Sequence, residues 1–240
     1  MKAHPGESLK RGLIPDWLDK LFLHSVTPLI RFFSYYKLNP NYVTIAGFLL
    51  NLIAGIMIFS GHFLNAAILV GVAGIFDFID GKIASATGQV TCFGAVLDSM
   101  LDRYSDFAIY SGIAGFFIMQ NMRLPALAVF FAMAGSFITS YARAIGASNG
   151  FKFRTGIIRR QERITIIFVA LLLAGLNYKI DGFFAGSIAI TKFIKYAIPV
   201  WPLSLSIYFL AILTNITAIQ RLMMIRKMTG QSTQKIGAGF

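Results

Sequence analysis

The chain has 240 residues, of which 56% are hydrophobic and only 13% charged, and its formal net charge is +12. Soluble domains carry roughly 25% charged residues, so this balance excludes an ordinary soluble protein and indicates an integral membrane protein. The basic excess then reflects loops that face anionic headgroups, not nucleic-acid binding.

Residues 1–12 are polar and basic. Over residues 13–33, Leu13, Trp17, Leu18, Leu21 and Phe22 recur at helical spacing, interrupted by Asp16, Asp19, Lys20 and His24. That pattern predicts an amphipathic helix lying in the membrane interface with Trp17 as anchor; a soluble cap on the bundle is the alternative. Asn39-Pro40-Asn41 breaks this run and starts the next helix. Apolar stretches near 41–60, 63–85, 94–119, 124–148, 161–178 and 198–222 each come close to the ~20 residues that cross a bilayer. The expected fold is all-α: a polytopic membrane protein with six transmembrane helices in residues 38–225. An N-terminal cytoplasmic segment (1–37) precedes it and a basic tail (226–240) follows. No cleavable signal peptide is expected, because the first 40 residues lack a basic start followed by an apolar core.

Six crossings leave both ends on one side. Eighteen of the 22 Lys and Arg then cluster in the N-terminal segment, beside the acidic stretch, around residues 143–163 and in the tail; Arg123, Lys179, Lys192 and Lys195 remain opposite. The positive-inside rule makes both termini, and the acidic stretch, cytoplasmic. Glycines at 47, 55, 71, 74, 112, 115 and 135 predict close helix contacts. Asn51 is expected to hydrogen-bond between helices. Cys92 is the sole cysteine, so no disulfide or cysteine metal cluster forms, and no P-loop or GxSxG motif is present.

The chemistry concentrates in DFIDGKIASATGQVTCFGAVLDSMLDRYSD, residues 77–106, which holds five of the ten acidic residues. Asp77 and Asp80 are three apart and share a helix face with Gly81 beside them; Gly94, Asp98 and Asp102 are spaced by four, and Asp106 continues that stripe. Carboxylates that close in a poorly solvated place cannot all stay ionised without a balancing cation. Hard oxygen donors in this number suit Mg²⁺, Mn²⁺ or Ca²⁺. The alternative is a salt-bridge network with Lys82, Arg103 and Arg143.

Asp77-x-x-Asp80-Gly81-x-x-Ala84 followed by Gly94-x-x-x-Asp98-x-x-x-Asp102 resembles the signature of the CDP-alcohol phosphotransferase family. The resemblance extends to Pro40-Asn41-x-x-Thr44 and covers residues 38–222. One position departs: the family's arginine after Ala84 is Ser85 here. The resemblance implies that Asp77, Asp80, Asp98 and Asp102 serve two Mg²⁺ or Mn²⁺ ions, with Asp102 also the base for an incoming hydroxyl. It implies CDP-lipid contacts from Asn41, Thr44, Asp80, Gly81, Ala84 and Gly94, and a homodimer.

Ser140-Tyr141-Ala142-Arg143 and Arg160-Gln161-Glu162-Arg163 resemble the branch that makes phosphatidylinositol phosphate or its archaeal ether-lipid analogue. That implies an acceptor site built from Arg143, Arg163, Arg160 and Arg103, since guanidinium meets phosphate in a bidentate fork. Ile145 and Ala147 stand where that branch has a further arginine and a glutamate, so glycerol 3-phosphate, inositol and other small polar alcohols stay open as acceptors. Two other readings remain: a CDP-lipid-binding protein silenced by Ser85, and a cation channel or transporter. The last predicts acidic residues spread over several spans near the midplane.

Overall fold

The computed structural model describes residues 39–150, 156–184 and 200–237, with positions 27, 28, 31, 35 and 36. The predicted interfacial helix near 13–33, with its anchor Trp17, therefore lies almost wholly outside the described residues. Among the described residues there are six full helices: α1 Pro40–Phe59, α2 Phe63–Thr87, α3 Cys92–Met119, α4 Arg123–Ser148, α5 Arg160–Phe184 and α6 Trp201–Gly237. No strand occurs among the described residues. The six apolar stretches each become one helix, and the last continues beyond its apolar part.

Local signals set the helix ends. The Asn39 side chain accepts the Asn41 N–H at 3.0 Å and Pro40 occupies the first turn of α1, where a missing N–H costs nothing. α2 ends at Gly88, whose φ of +68° is left-handed, the usual glycine stop. Three residues later the Thr91 hydroxyl accepts the Gly94 N–H at 3.0 Å and opens α3. This short link between two caps brings Asp77 and Asp80 near the end of α2 opposite Asp98 and Asp102 near the start of α3.

The helices close a ring in contact order: α1 packs on α2 and α3, α2 on α5, α5 on α6, α6 on α4, and α4 back on α3. Ala54, Phe63, Val70, Ile113, Phe117, Ile167, Leu171, Leu203 and Ile207 fill the shared core. α1 and α3 approach backbone to backbone: a Cβ built on Gly55 stands 2.5 Å from the Ala108 carbonyl oxygen, and one on Gly112 overlaps the Gly55 carbonyl. Gly135 is likewise closed off by Thr214 and Asn215. Gly74 breaks the expectation, since nothing lies within 4 Å of a Cβ placed there.

Four helices, α1, α2, α4 and α6 as far as Lys227, are long and apolar enough to cross a membrane. α3 and α5 bring charged side chains with them: Asp98, Asp102, Arg103 and Asp106 on the first, Arg160, Glu162 and Arg163 on the second.

Candidate active site

Asp77 of α2 and Asp98 and Asp102 of α3 form one group, each offering a carboxylate oxygen within 4.8 Å of the others. The i, i+4 spacing on α3 puts two of them on one face, and the α1 to α2 and α1 to α3 contacts hold that face against Asp77. Three hard oxygen donors converging from two helices fit Mg²⁺ or Mn²⁺. Asp80 stands just outside this group and is buried, 7% exposed. Its Oδ2 accepts from the Thr44 hydroxyl at 2.8 Å and its Oδ1 from the Gly81 N–H. Thr44, expected as a CDP-lipid contact, thus holds the Asp80 carboxylate by this bond.

Thr44, Asp77, Asp80 and Asp102 line a cleft together with Asn51 and Arg160, among others. Asn51, expected to bond across helices, instead contributes to this wall. The remaining CDP-lipid candidates are arranged around the same end of the bundle. Gly81 faces open space, with no atom within 4 Å of a Cβ built on it. A Cβ on Gly94 would stand 3.0 Å from Asn41 Oδ1, so Asn41 and Gly94 are neighbours. Ala84 is half-buried on α2, and Ser85 is exposed, its hydroxyl donating to the Gly81 carbonyl at 2.9 Å.

The arginines divide into two sets. Arg160 Nη1 reaches Asp102 Oδ1 at 2.8 Å and both oxygens of Asp77 at 3.2 Å, while its Nε lies 3.4 Å from Asp106. Arg103, on the outer face of α3, stands 3.6 Å from Asp102 and donates to the Ser99 carbonyl at 2.6 Å. Both were expected at an acceptor site; the structure sets both against the carboxylates. The carboxylates are therefore balanced in part by arginine, as the salt-bridge alternative foresaw with Arg103. Lys82 is instead placed over the Phe78 ring at 5.7 Å.

The second set lies behind Asp106. Arg163 is 3% exposed, stands 3.6 Å from Asp106 and donates to the Thr139 hydroxyl at 3.3 Å. Arg221 of α6 donates to the Thr139 carbonyl and lies within electrostatic reach of Arg143 and Arg163. Three guanidiniums from α4, α5 and α6 thus converge, and buried Arg163 Nη2 and Arg221 Nε have no hydrogen-bond partner. Guanidiniums of this kind suit an anion. Arg221 counts in the sequence only as one more basic charge of the tail; the signal that singles it out is an arginine within an apolar span. Glu162 plays a local part, accepting the Arg159 N–H at 2.7 Å as a cap at the start of α5.

The CDP-alcohol phosphatidyltransferase family model matches residues 37–208. The phosphatidylinositol phosphate synthase of Corynebacterium glutamicum is 34% identical over 65% of this chain and 74% of its own length. The archaetidylinositol phosphate synthase of Methanothermobacter thermautotrophicus is 33% identical over 87% of this chain and 96% of its own. The phosphatidylinositol phosphate synthase of Mycobacterium tuberculosis crystallised with CDP-DAG superposes with a TM-score of 0.66 at 28% identity, covering 82% of this chain and 91% of that one. Its complex with manganese and citrate gives a TM-score of 0.67 at 27% identity, over 82% and 87%. With the motif, the helical fold and the carboxylate group in agreement, the chain belongs to the CDP-alcohol phosphatidyltransferase family.

Proposed function

We propose that this protein transfers a phosphatidyl-type group from a CDP-linked lipid to the hydroxyl of an inositol phosphate and releases CMP. The observation that carries the reading is the juxtaposition of a carboxylate group at Asp77, Asp98 and Asp102 with a set of arginines behind it, buried at Arg163 and Arg221 and exposed at Arg143. The first suits a diphosphate, the second a dianionic acceptor. The names of the Corynebacterium and Methanothermobacter relatives support the acceptor.

Asp77, Asp98 and Asp102 would hold Mg²⁺ or Mn²⁺, with Asp80 completing the set for two ions. Bound there, the ions supply positive charge to the phosphoryl oxygens and to the departing CMP. Thr44 keeps the Asp80 carboxylate turned into the cleft, and the open face of Gly81 lets a nucleotide lie against backbone. Arg143, Arg163 and Arg221 take the acceptor's phosphate and orient its hydroxyl. That oxygen attacks the lipid-side phosphorus, the bond from this phosphorus to the CMP oxygen breaks, and Asp102 takes the hydroxyl proton.

The reading extends to the whole chain. All six helices cross the membrane, and both termini and the site face the cytoplasm. The excess of Lys and Arg on that side supports this orientation. The protein acts as a homodimer; a single-chain mass in detergent would remove that point.

The deciding assay is CMP release by purified protein with CDP-diacylglycerol and Mg²⁺, offered inositol 1-phosphate, inositol, glycerol 3-phosphate or serine. Release is expected with inositol 1-phosphate. Arg221→Ala should raise the KM for that acceptor on the order of 10- to 100-fold, as expected for a lost charge-assisted bond, with the CDP-lipid KM little changed. Release with another alcohol alone discards the acceptor while keeping the reaction class. No release from any of the four removes the catalytic reading for these substrates.

A further inference from the structure

Arg160 occupies a position that the transfer reaction does not explain. Both oxygens of Asp77 lie 3.2 Å from its Nη1, and the same nitrogen is 2.8 Å from Asp102 Oδ1. The second Asp102 oxygen faces Arg103 at 3.6 Å. All four oxygens of two clustered carboxylates are therefore within ion-pair distance of arginine. A hard divalent cation coordinates those same oxygens directly. Guanidinium and metal cannot use one carboxylate lone pair together, and at that separation they repel.

The far side of Arg160 is tied elsewhere. Its Nε lies 3.4 Å from Asp106 Oδ1; both atoms are buried, and neither makes an aligned hydrogen bond. Asp106 is 3% exposed and is held from behind by Arg163 Nη2 at 3.6 Å, which is itself fixed through Thr139. The Arg160 side chain also lines the cleft. It thus has a displaceable edge at the carboxylates and an anchor at Asp106, and it borders the cleft.

We propose that Arg160 is a displaceable counter-charge of the metal site, anchored by Asp106. Divalent-cation binding moves its Nη1 edge off Asp77 and Asp102 and into the cleft, where it meets a phosphoryl oxygen. Asp106 is a positioning residue: it keeps the guanidinium within reach once the carboxylates release it. This rests on the metal reading of Asp77, Asp98 and Asp102.

The test is Mn²⁺ binding to the purified full chain in detergent without substrate, read from the electron-spin-resonance signal of free Mn²⁺. Arg160→Gln should bind Mn²⁺ on the order of tenfold more tightly than wild type, because one opposing charge at contact distance is gone. Asp106→Asn should bind it several-fold more weakly, because Arg160 then stays on Asp77 and Asp102. In the Arg160→Gln background, Asp106→Asn should add nothing, which a general loss of negative charge would not produce. Unchanged or weaker binding in Arg160→Gln overturns the proposal, and so does a full Asp106→Asn effect in the double variant. If Arg160→Gln does not fold, Arg160→Lys replaces it: a shorter, non-forked cation should loosen the hold on the carboxylates and tighten Mn²⁺ binding, and unaltered binding overturns the proposal. Failure of the wild type to bind Mn²⁺ removes the metal reading itself, and appears before any substitution is made.

Discussion

Asp102 carries three demands at once. It belongs to the carboxylate group, it faces Arg160 and Arg103, and it lines the cleft into which an acceptor hydroxyl must come. A group that accepts a proton while ion-paired depends on its second oxygen lying in reach of the substrate, and the weak 3.6 Å contact with Arg103 leaves that oxygen available. Asp102→Asn preserves shape and keeps one acceptor oxygen but removes the proton-accepting charge. Turnover should fall by roughly 10²- to 10⁴-fold, the usual contribution of a positioned base, while the CDP-lipid Kd changes little. Retained turnover would remove Asp102 as the base. Asp80 is a different kind of carboxylate, with one oxygen held by Thr44 and one by its own helix.

At the scale of elements, the site depends on how closely α1 lets α3 approach. α1 contributes Thr44 and Asn51 to the cleft, and the same helix meets α3 at Gly55 with no room for a side chain. Without much solvent-driven hydrophobic gain between helices in a membrane, such small-residue contacts carry the association. Gly55→Val would push α3 away and move Asp98 and Asp102 with it. Overpacking costs about 1–3 kcal/mol, so the melting temperature in detergent should fall and activity with it. Gly74→Ala is the control: it meets nothing within 4 Å, and alanine favours the helix by up to ~1 kcal/mol. Equal melting temperatures for Gly55→Val and wild type would show that the α1–α3 contact is looser than the packing implies.

At the scale of the whole molecule, Asp77, Asp80, Asp98 and Asp102 gather at the linked ends of α2 and α3, which disfavours a permeation path of charges spread along several spans. Their side of the membrane can be read directly. Cys92 is exposed, begins α3 beside the site, and is the sole cysteine of the chain. A membrane-impermeant maleimide should label it in inside-out vesicles and leave it unlabelled in intact cells. Labelling from outside would invert the proposed orientation.

Much of this was legible in the chain itself, because its determinants are local. Helix positions follow from runs of apolar residues bounded by Asn39-Pro40, Gly61, Gly88 and Thr91. The Asp77, Asp80, Gly94, Asp98 and Asp102 spacings put the carboxylates on shared faces before any packing is known, since helical periodicity alone decides that. The partners of those carboxylates were not legible. Arg160 lies 83 residues from Asp77 and could equally have faced headgroups. Arg221 meets Thr139 across 82 residues, and neither pairing has a spacing rule. Only the ring of helices, closed by glycine contacts and filled by its core, decides which charges share a poorly solvated interior. There each charge needs a partner, and the nearest arginine of the next helix supplies it.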